Sequence, residues 1–494
     1  MADITLINLN MLYLRHMDGI ERERHLPLGP LYLAAALEQA GLSCDLRDYQ
    51  QQERDDPFSS AAIADFCRDP APIIGLSCMA NLLPFTIMAA REVRRRYPDR
   101  LIVLGGVGAK SVERAVLEAF PWIDVVAHGE GERTIVELVR AFKAGRPLGD
   151  IAGLAVRGAA GARLNPPQPR FTDLETLPRP AYHLVDLGAY EGYGMVTSRG
   201  CPYPCTFCSV APIWNLESFS RTHDGIIDEM RQLHEQAGVD LFLFQDEFFV
   251  SSKRHVIGFC DKLRRAGLGV RWKAFGRVNL TDVETMEAML AAGCVEIRYG
   301  IESGSPAVLR RTRKGFTPDQ AVEVVSAAVE RFPRVDTFFV WGFPFETMDD
   351  FYQTLFQMVS FRLMGARVLP SLLCYLPQTR IYDEYRGDPR FEFCPDLLPE
   401  YMLTGHEVCH PSHVEIDSAH RWLFDLVVEH PRIFPGFYHY DLEGNVRPKL
   451  EVLREHGFYA AADAARGAAE KTESCGAHSP RAPADPRREI FTRP

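Results

Sequence analysis

Thr197-Ser198-Arg199-Gly200-Cys201-Pro202-Tyr203-Pro204-Cys205-Thr206-Phe207-Cys208 is the stretch on which the reading of this chain turns. Three cysteines fall within eight residues, directly after a run at 194–198 that predicts a strand. Thiolates are soft ligands suited to iron–sulfur clusters, and three on one short loop can wrap a single cluster. A four-iron cluster held by three cysteines keeps one iron open to a chelating substrate. Structural zinc is the rival. It asks for four ligands, commonly as paired Cys-x-x-Cys units. No second pair follows here, and the next histidine downstream is His223.

Downstream of the loop, strand-like runs at 241–245, 270–275, 295–300, 337–341 and 368–371 alternate with helical patterns such as 225–237 and 281–292. With 194–198 they make six βα units. Such a series predicts a partial (β/α)6 barrel with its active site at the carboxyl ends of the strands, where the cysteines stand. Upstream, runs at 4–9, 44–48, 73–78, 101–104 and 125–127 alternate with helical patterns at 31–40 and 84–97. This predicts a doubly wound, Rossmann-like α/β domain that binds ligand beyond its strand ends. Small residues gather there: Gly105-Gly106-Val107-Gly108 and His128-Gly129-Glu130-Gly131-Glu132. Glycine admits close backbone approach, and both loops precede helices whose amino ends favour anions. Simple tight βα connections use the same residues, so the pattern alone serves either role.

Residues 151–190 are rich in turn formers, including Asn165-Pro166-Pro167 and Pro178-Arg179-Pro180, and read as a short hairpin and a linker. The expected organisation is a first domain over 1–145, a linker over 146–190 and the barrel over 191–390. A small helical C-terminal cap over 391–466 and a disordered tail over 467–494, rich in Ala, Pro, Ser, Arg and Gly, follow. The net charge of −11 gives no bulk attraction to phosphate backbones, so no nucleic-acid partner is expected. The run Arg94-Arg95-Arg96 closes a helix, where cations suit the dipole. No apolar run reaches the ~20 residues needed for an integral membrane segment, and no leader is evident, so a cytoplasmic protein is expected. There its 12 cysteines are thiols or metal ligands rather than disulfides. Nine of them, such as Cys44, Cys78 and Cys294, stand singly and read as small core residues.

The spacing Cys-x-x-x-Cys-x-aromatic-Cys resembles the signature of the radical S-adenosylmethionine (SAM) superfamily. That resemblance implies a 4Fe–4S cluster on Cys201, Cys205 and Cys208 whose open iron binds SAM, from which a 5′-deoxyadenosyl radical is made to abstract hydrogen. It implies further roles. Phe207 matches the aromatic position whose backbone lies near adenine. Gln245, Asp246 and Glu247 match the acidic motif after the second strand that meets the methionine amino group. Arg277 resembles a basic position after the third strand; Glu302, with Ser303, resembles the acidic site near the SAM ribose or amine. Gly342-Phe343-Pro344-Phe345-Glu346-Thr347 resembles a Gly-Phe-Pro-Gly-Glu-Thr turn, with Phe345 in place of the usual glycine.

The first domain, through Leu26–Ala35 with Gly41, then Gly105, Gly106, Gly108, Gly129 and Glu130, resembles the cobalamin-binding domain of class B radical SAM enzymes. The Asp-x-His-x-x-Gly motif of histidine-ligated cobalamin proteins is missing, as in many radical SAM relatives. The resemblance implies a cobalamin-dependent methyltransferase acting on an unactivated carbon or phosphorus of a small molecule, with a flavodoxin or ferredoxin as reductant. Rearrangement, cyclisation or ring contraction with the same cofactors is the second reading; a non-catalytic iron–sulfur or corrinoid carrier is the third. Methylthio transfer fits poorly, because Cys44, Cys67 and Cys78 are too dispersed for its second cluster. Tyr375, Gln378, Arg380 and Trp214 are candidates to face the substrate, with core packing an equal role for Tyr375 and Trp214.

Overall fold

The computed structural model describes residues 2–9, 24–52, 59–158, 161–394 and 421–459; the tail expected to be disordered lies outside them. Five short runs, apolar except for β2 at the edge, form the first sheet: β1 (Ile4–Asn8), β2 (Cys44–Asp48), β3 (Ile73–Ser77), β4 (Leu101–Gly105) and β5 (Val125–Ala127). They are parallel in the order β2-β1-β3-β4-β5. β6 (Leu154–Gly158) and β7 (Gly161–Leu164) extend the edge beyond β5 as an antiparallel hairpin. β1, β3 and β4 are apolar almost throughout because both faces are covered. Ile7, Ile74 and Leu104 pack on one side with the helix Leu83–Arg96. Ile4, Ile73 and Val103 pack on the other with Leu28–Gln39 and Gly131–Lys143. The strand order reverses between β1 and β3, the place where such sheets open a ligand crevice.

The second sheet has six parallel strands in chain order: β8 (Tyr193–Met195), β11 (Leu241–Phe244), β12 (Arg271–Gly276), β13 (Cys294–Glu302), β14 (Arg334–Trp341) and β15 (Arg367–Leu372). A two-stranded pairing, β9 (Ser198–Arg199) with β10 (Phe219–Ser220), interrupts the series after β8. Sequential neighbours joined by helical crossovers are what a partial barrel requires. The helices end where capping chemistry places them. Thr222 caps His223–Ala237, which stops at left-handed Gly238. Capping boxes open Pro318–Val329 (Thr317 with Gln320) and Met348–Met364 (Thr347 with Asp350). No helix among the described residues is long and apolar enough to cross a membrane.

The C-terminal region spans both units. Leu426 and Val427 of the helix Arg421–Glu429, with Ile433, Phe434 and Phe437, join the core beside Leu83–Arg96 of the first domain. Leu450 and Leu453 of the helix Arg447–Glu455 join the barrel core. β16 (Phe391–Phe393) pairs antiparallel with β17 (Tyr438–Tyr440), so among the described residues of this region these two helices flank a small β element. Of the solitary cysteines, Cys67, Cys78, Cys260 and Cys294 are buried while Cys44, Cys374 and Cys394 are partly so; Cys409 and Cys475 lie outside the described residues.

Lys449 locks this region to the barrel. Its ammonium lies 2.8 Å from Glu346 Oε2 and 2.9 Å from the Glu346 carbonyl, with the two side chains 1% and 0% exposed. Burial pushes the Glu346 carboxyl up and the Lys449 amine down, each drawn back by the other. Lys449→Met therefore strands a buried carboxylate and lowers stability by about 3–5 kcal/mol, read by denaturant unfolding. The double change with Glu346→Gln recovers most of that loss.

Candidate active site

The cysteine loop is held from four directions. At its start, the Asp246 carboxylate accepts hydrogen bonds from the amides of Thr197 (2.7 Å) and Ser198 (2.9 Å) and from the Thr197 hydroxyl. Asp246 is buried, and burial pushes its carboxyl up to about 7 against those donors. In the middle, the Thr206 amide donates to the Thr312 carbonyl (3.2 Å) and the Thr206 carbonyl accepts from the Ile381 amide (3.0 Å). Near its far side, the Arg277 guanidinium lies 3.5 Å from the Tyr203 ring centroid and donates to the Lys314 carbonyl. Gly200 is left-handed at φ +97°, and a side chain there would strike the Glu217 carbonyl, so only glycine fits.

Cys201 and Cys208 are pushed up, Cys208 to about 12, first by burial and also by the neighbouring thiols; Arg277 and Lys314 pull the other way. The Cys205 sulfur is thus within electrostatic reach of both, and Cys201 of Cys208. Thiols of this kind become thiolates through coordination to a cation-rich centre. No fourth cysteine or histidine stands in the loop, and among the described residues no three His, Cys, Asp or Glu side chains converge for one metal ion. The donor set fits a three-cysteine polynuclear cluster.

At the barrel mouth the expected site residues divide. Gln245 and Glu247 follow β11 on the exposed side; Glu247 accepts from Trp214 Nε1 (3.1 Å) and the Gly200 amide (3.3 Å). Asp246, between them, points inward and is spent on the loop. Glu302 sits at a register shift in β13 with φ +69°, a conformation non-glycine residues adopt only when their surroundings over-determine it. Its carboxylate is 3.0 Å from Lys314, a buried cation that also influences Cys208. Ser303 is wholly buried, and its hydroxyl meets the Thr354 hydroxyl (2.7 Å) and the Ser305 amide (3.0 Å). It shapes the turn below Glu302 rather than the open mouth. Phe207 packs edge-on against Phe343, which stacks on Phe345. The replacement of the expected glycine by Phe345 thus extends an aromatic wall from the cysteine loop, with Arg311 over its outer face. Gly342, at φ +84°, donates its amide to Glu346 (2.9 Å).

The first sheet turns its carboxyl edge toward this loop. A side chain on Gly106 would strike the Cys78 carbonyl, and one on Gly108 would lie 2.5 Å from both the Cys78 sulfur and the Met79 carbonyl. These two glycines let the loops after β3 and β4 nest. Gly105 differs: a Cβ there meets only Ala127, at 4.0 Å. Beside it Met79 and Val107 are 47% and 37% exposed. An open glycine flanked by exposed apolar side chains beyond the carboxyl ends of β3 and β4 fits the apolar face of a corrin ring. Gly129 is left-handed at φ +76° and turns the chain into Glu130. Glu130 is buried and already engaged: Arg199 reaches it at 2.9 Å and the Phe171 amide at 2.9 Å, while Glu132 takes the other arm of Arg199 at 2.6 Å. Its carboxylate is thus directed to the neighbouring domain instead of an open crevice.

Sequence reasoning missed Arg199, Glu132 and Lys314. Arg199 lies inside the motif, and its closeness to Cys201 was the available signal; Lys314 carried none, since a basic residue at a helix end has an ordinary explanation. Tyr375 is 1% exposed with its ring edge-on to Phe391, a core position. Gln378 is partly buried, Arg380 is exposed, and Trp214 is bound between Glu247 and Arg170.

Comparison with known proteins places these features in context. A family model of the radical SAM superfamily matches residues 195–358, and one of the B12 binding domain matches residues 22–139. An uncharacterized methyltransferase of Pyrococcus horikoshii is 30% identical over 334 residues, covering 67% of this chain and 72% of the relative. The anaerobic magnesium-protoporphyrin IX monomethyl ester cyclase of Rubrivivax gelatinosus is 28% identical over 54% of this chain; the match spans half of the cyclase. Among solved structures, the radical SAM methyltransferase TsrM of Kitasatospora setae, with cobalamin and a 4Fe–4S cluster bound, shares the fold. The TM-score is 0.65 at 20% identity, over 79% of this chain and 77% of that one.

Asp246→Ala leaves two amides and a hydroxyl unpaired in a buried site, at about 1–3 kcal/mol each. The expected outcome is a folded protein whose cysteine loop holds less iron and sulfide per chain than wild type after anaerobic reconstitution. Undiminished cluster content would show that Asp246 does not position the loop.

Proposed function

The chain belongs to the radical SAM superfamily, in the branch where a B12-binding domain precedes the radical SAM domain, and on that premise we propose that it is a cobalamin-dependent methyltransferase acting on an unactivated carbon or phosphorus of a small molecule. One observation carries the reading. Arg199, two residues before Cys201, is bound by Glu130 and Glu132 from the carboxyl edge of the first sheet, so the two cofactor regions face each other. When bound, the cluster and SAM supply hydrogen-atom abstraction, and cobalamin supplies a transferable methyl group.

The chain's own residues bind and orient. Cys201, Cys205 and Cys208 are the cluster ligands. Gln245, Glu247 and Glu302 present polar groups at the mouth where the SAM amine and ribose need partners, with Phe207 in the loop wall toward adenine. Asp246, Arg277 and Ser303 position these groups. Gly105, Gly106 and Gly108, with Met79 and Val107, form the corrin-side surface, and the engaged Glu130 contributes by alignment. A low-potential carrier such as flavodoxin or ferredoxin is the reductant this chemistry requires. The ten described cysteines are all free thiols, which fits a reducing cytoplasm. The cyclase relative favours a second reading, cyclisation or rearrangement with the same cofactors.

Three measurements test this. Anaerobically reconstituted protein incubated with hydroxocobalamin and desalted retains corrin absorption at near-stoichiometric amounts. Corrin-free protein that still cleaves SAM rejects methyl transfer through cobalamin. Cys205→Ala abolishes both cluster absorption and 5′-deoxyadenosine formation. Glu302→Gln keeps the cluster but weakens SAM binding about tenfold or more, as loss of a charge-assisted hydrogen bond predicts; unchanged SAM affinity removes Glu302 from the site.

A further inference from the structure

The concave face of the barrel carries an ion cluster that the cofactor regions do not use. Strand alternation turns Trp272, Ile297 and Phe339 into the helix-covered core. Their neighbours on β12, β13 and β14 face the lumen: Lys273 and Phe275, Glu296 and Arg298, Asp336 and Phe338. Glu296 is approached by Arg298 (2.5 Å), Lys273 (3.2 Å) and Arg334 (3.5 Å). Asp336 is approached by Arg334 (2.9 Å) and Arg367 (3.7 Å). Lys273 and Arg298 thus share the one carboxylate of Glu296, which Arg334 also approaches, and the adjoining Arg271–Asp240 pair is neutral as a unit.

The cations of this cluster differ in their exposure. Arg334 and Arg367 are the solvent-side members, open enough for water to screen them, whereas Lys273 and Arg298 are each only 15% exposed. Poorly solvated, under-compensated cations are costly unless an anion completes the set. Glu296 cannot complete it: burial pushes its carboxyl up, yet Arg298, Lys273 and Arg334 hold it below the usual range, so it is already a full carboxylate shared three ways. Arg298 commits its Nε to Glu296, and no hydrogen bond among the described residues occupies its terminal nitrogens. The next inward position on β13 is Gly300, where a side chain would lie 2.5 Å from Glu302 Oε1. The column above Arg298 therefore carries no side chain until Glu302. Phe275, 5.6 Å from the Arg298 guanidinium, and Phe338, tilted 6.1 Å from Phe275, wall the same face.

We propose that Arg298, with Lys273 beside it, receives an anionic group of the substrate, a carboxylate or a phosphate, while Phe275 and Phe338 contact its apolar body. The inference rests on the barrel mouth being the reaction centre proposed above. Strand rise sets Glu302 about 13 Å beyond Arg298 along β13. A substrate anchored at Arg298 thus offers to the mouth the end remote from its anionic group.

The test is equilibrium dialysis of 2-naphthoate, 2-naphthyl phosphate and neutral 2-naphthamide against the reconstituted holoenzyme. At least one anion is expected to bind about tenfold more tightly than the amide, and the stronger anion identifies the carboxylate or phosphate class. Arg298→Gln, in which Glu296 keeps Lys273 and Arg334, should erase the preference; Arg298→Lys should retain most of it. Equal binding of all three probes, no binding of either anion, or an undiminished preference in Arg298→Gln overturns the proposal. The same preparation is assayed for SAM cleavage and corrin retention. Failure there counts against the proposed function, whereas a protein that passes both yet ignores charge rejects this inference alone.

Discussion

The guanidinium of Arg199, forked between Glu130 and Glu132 and beneath the ring of Tyr32, is the constraint on which this architecture depends. Its two acidic partners come from one domain and it belongs to the other, so the ion pair fixes the first sheet against the root of the cysteine loop. A cation this buried must be paired, because leaving it alone costs several kcal/mol. Arg170 reinforces the seam, 3.7 Å from both Glu130 and Glu217 and over the rings of Trp214 and Phe219. The seam is therefore polar and directional, unlike an oily contact that tolerates sliding.

A division of labour among acids follows from that arrangement. Asp246, Glu130 and Glu346 are buried and spend their charge on loops, on a domain contact and on Lys449. Gln245 and Glu247 stay open at the mouth. The loop that must place three thiols is positioned by backbone bonds to Thr312 and Ile381, carried on elements far apart in sequence. Precision at the cysteines is thus borrowed from the whole barrel.

Much of this was legible in the residues. The three cysteines announced themselves by spacing, and hydrophobic periodicity located every barrel strand because parallel buried strands leave a dense apolar signature. What stayed hidden depended on pairing at a distance. Gln245, Asp246 and Glu247 are adjacent, and no local pattern says that the middle one turns inward. Glu130 looked like a cofactor residue because glycine-flanked acids at helix starts suggest ligands; its arginine lay 69 residues on. Ser303 sat beside the strained Glu302 and took on its role, although both are buried and only Glu302 meets a cation, Lys314, while Ser303 is bonded to Thr354 and the Ser305 amide. The β16–β17 element escaped because its two strands are three residues each and separated by a long interval.

Lys449 gives one of these pairings a temporal meaning. Glu346 closes the turn after β14, yet its countercharge is supplied about a hundred residues later, from a segment that also rests on the first domain through Leu426 and Val427. A chain still emerging from the ribosome has all three cysteines in hand and a complete first sheet, but its Gly342–Glu346 turn holds a carboxylate with nothing to neutralise it. Order of synthesis therefore matters to this turn: it is neutralised only once the helix Arg447–Glu455 has been made and has packed on the barrel core.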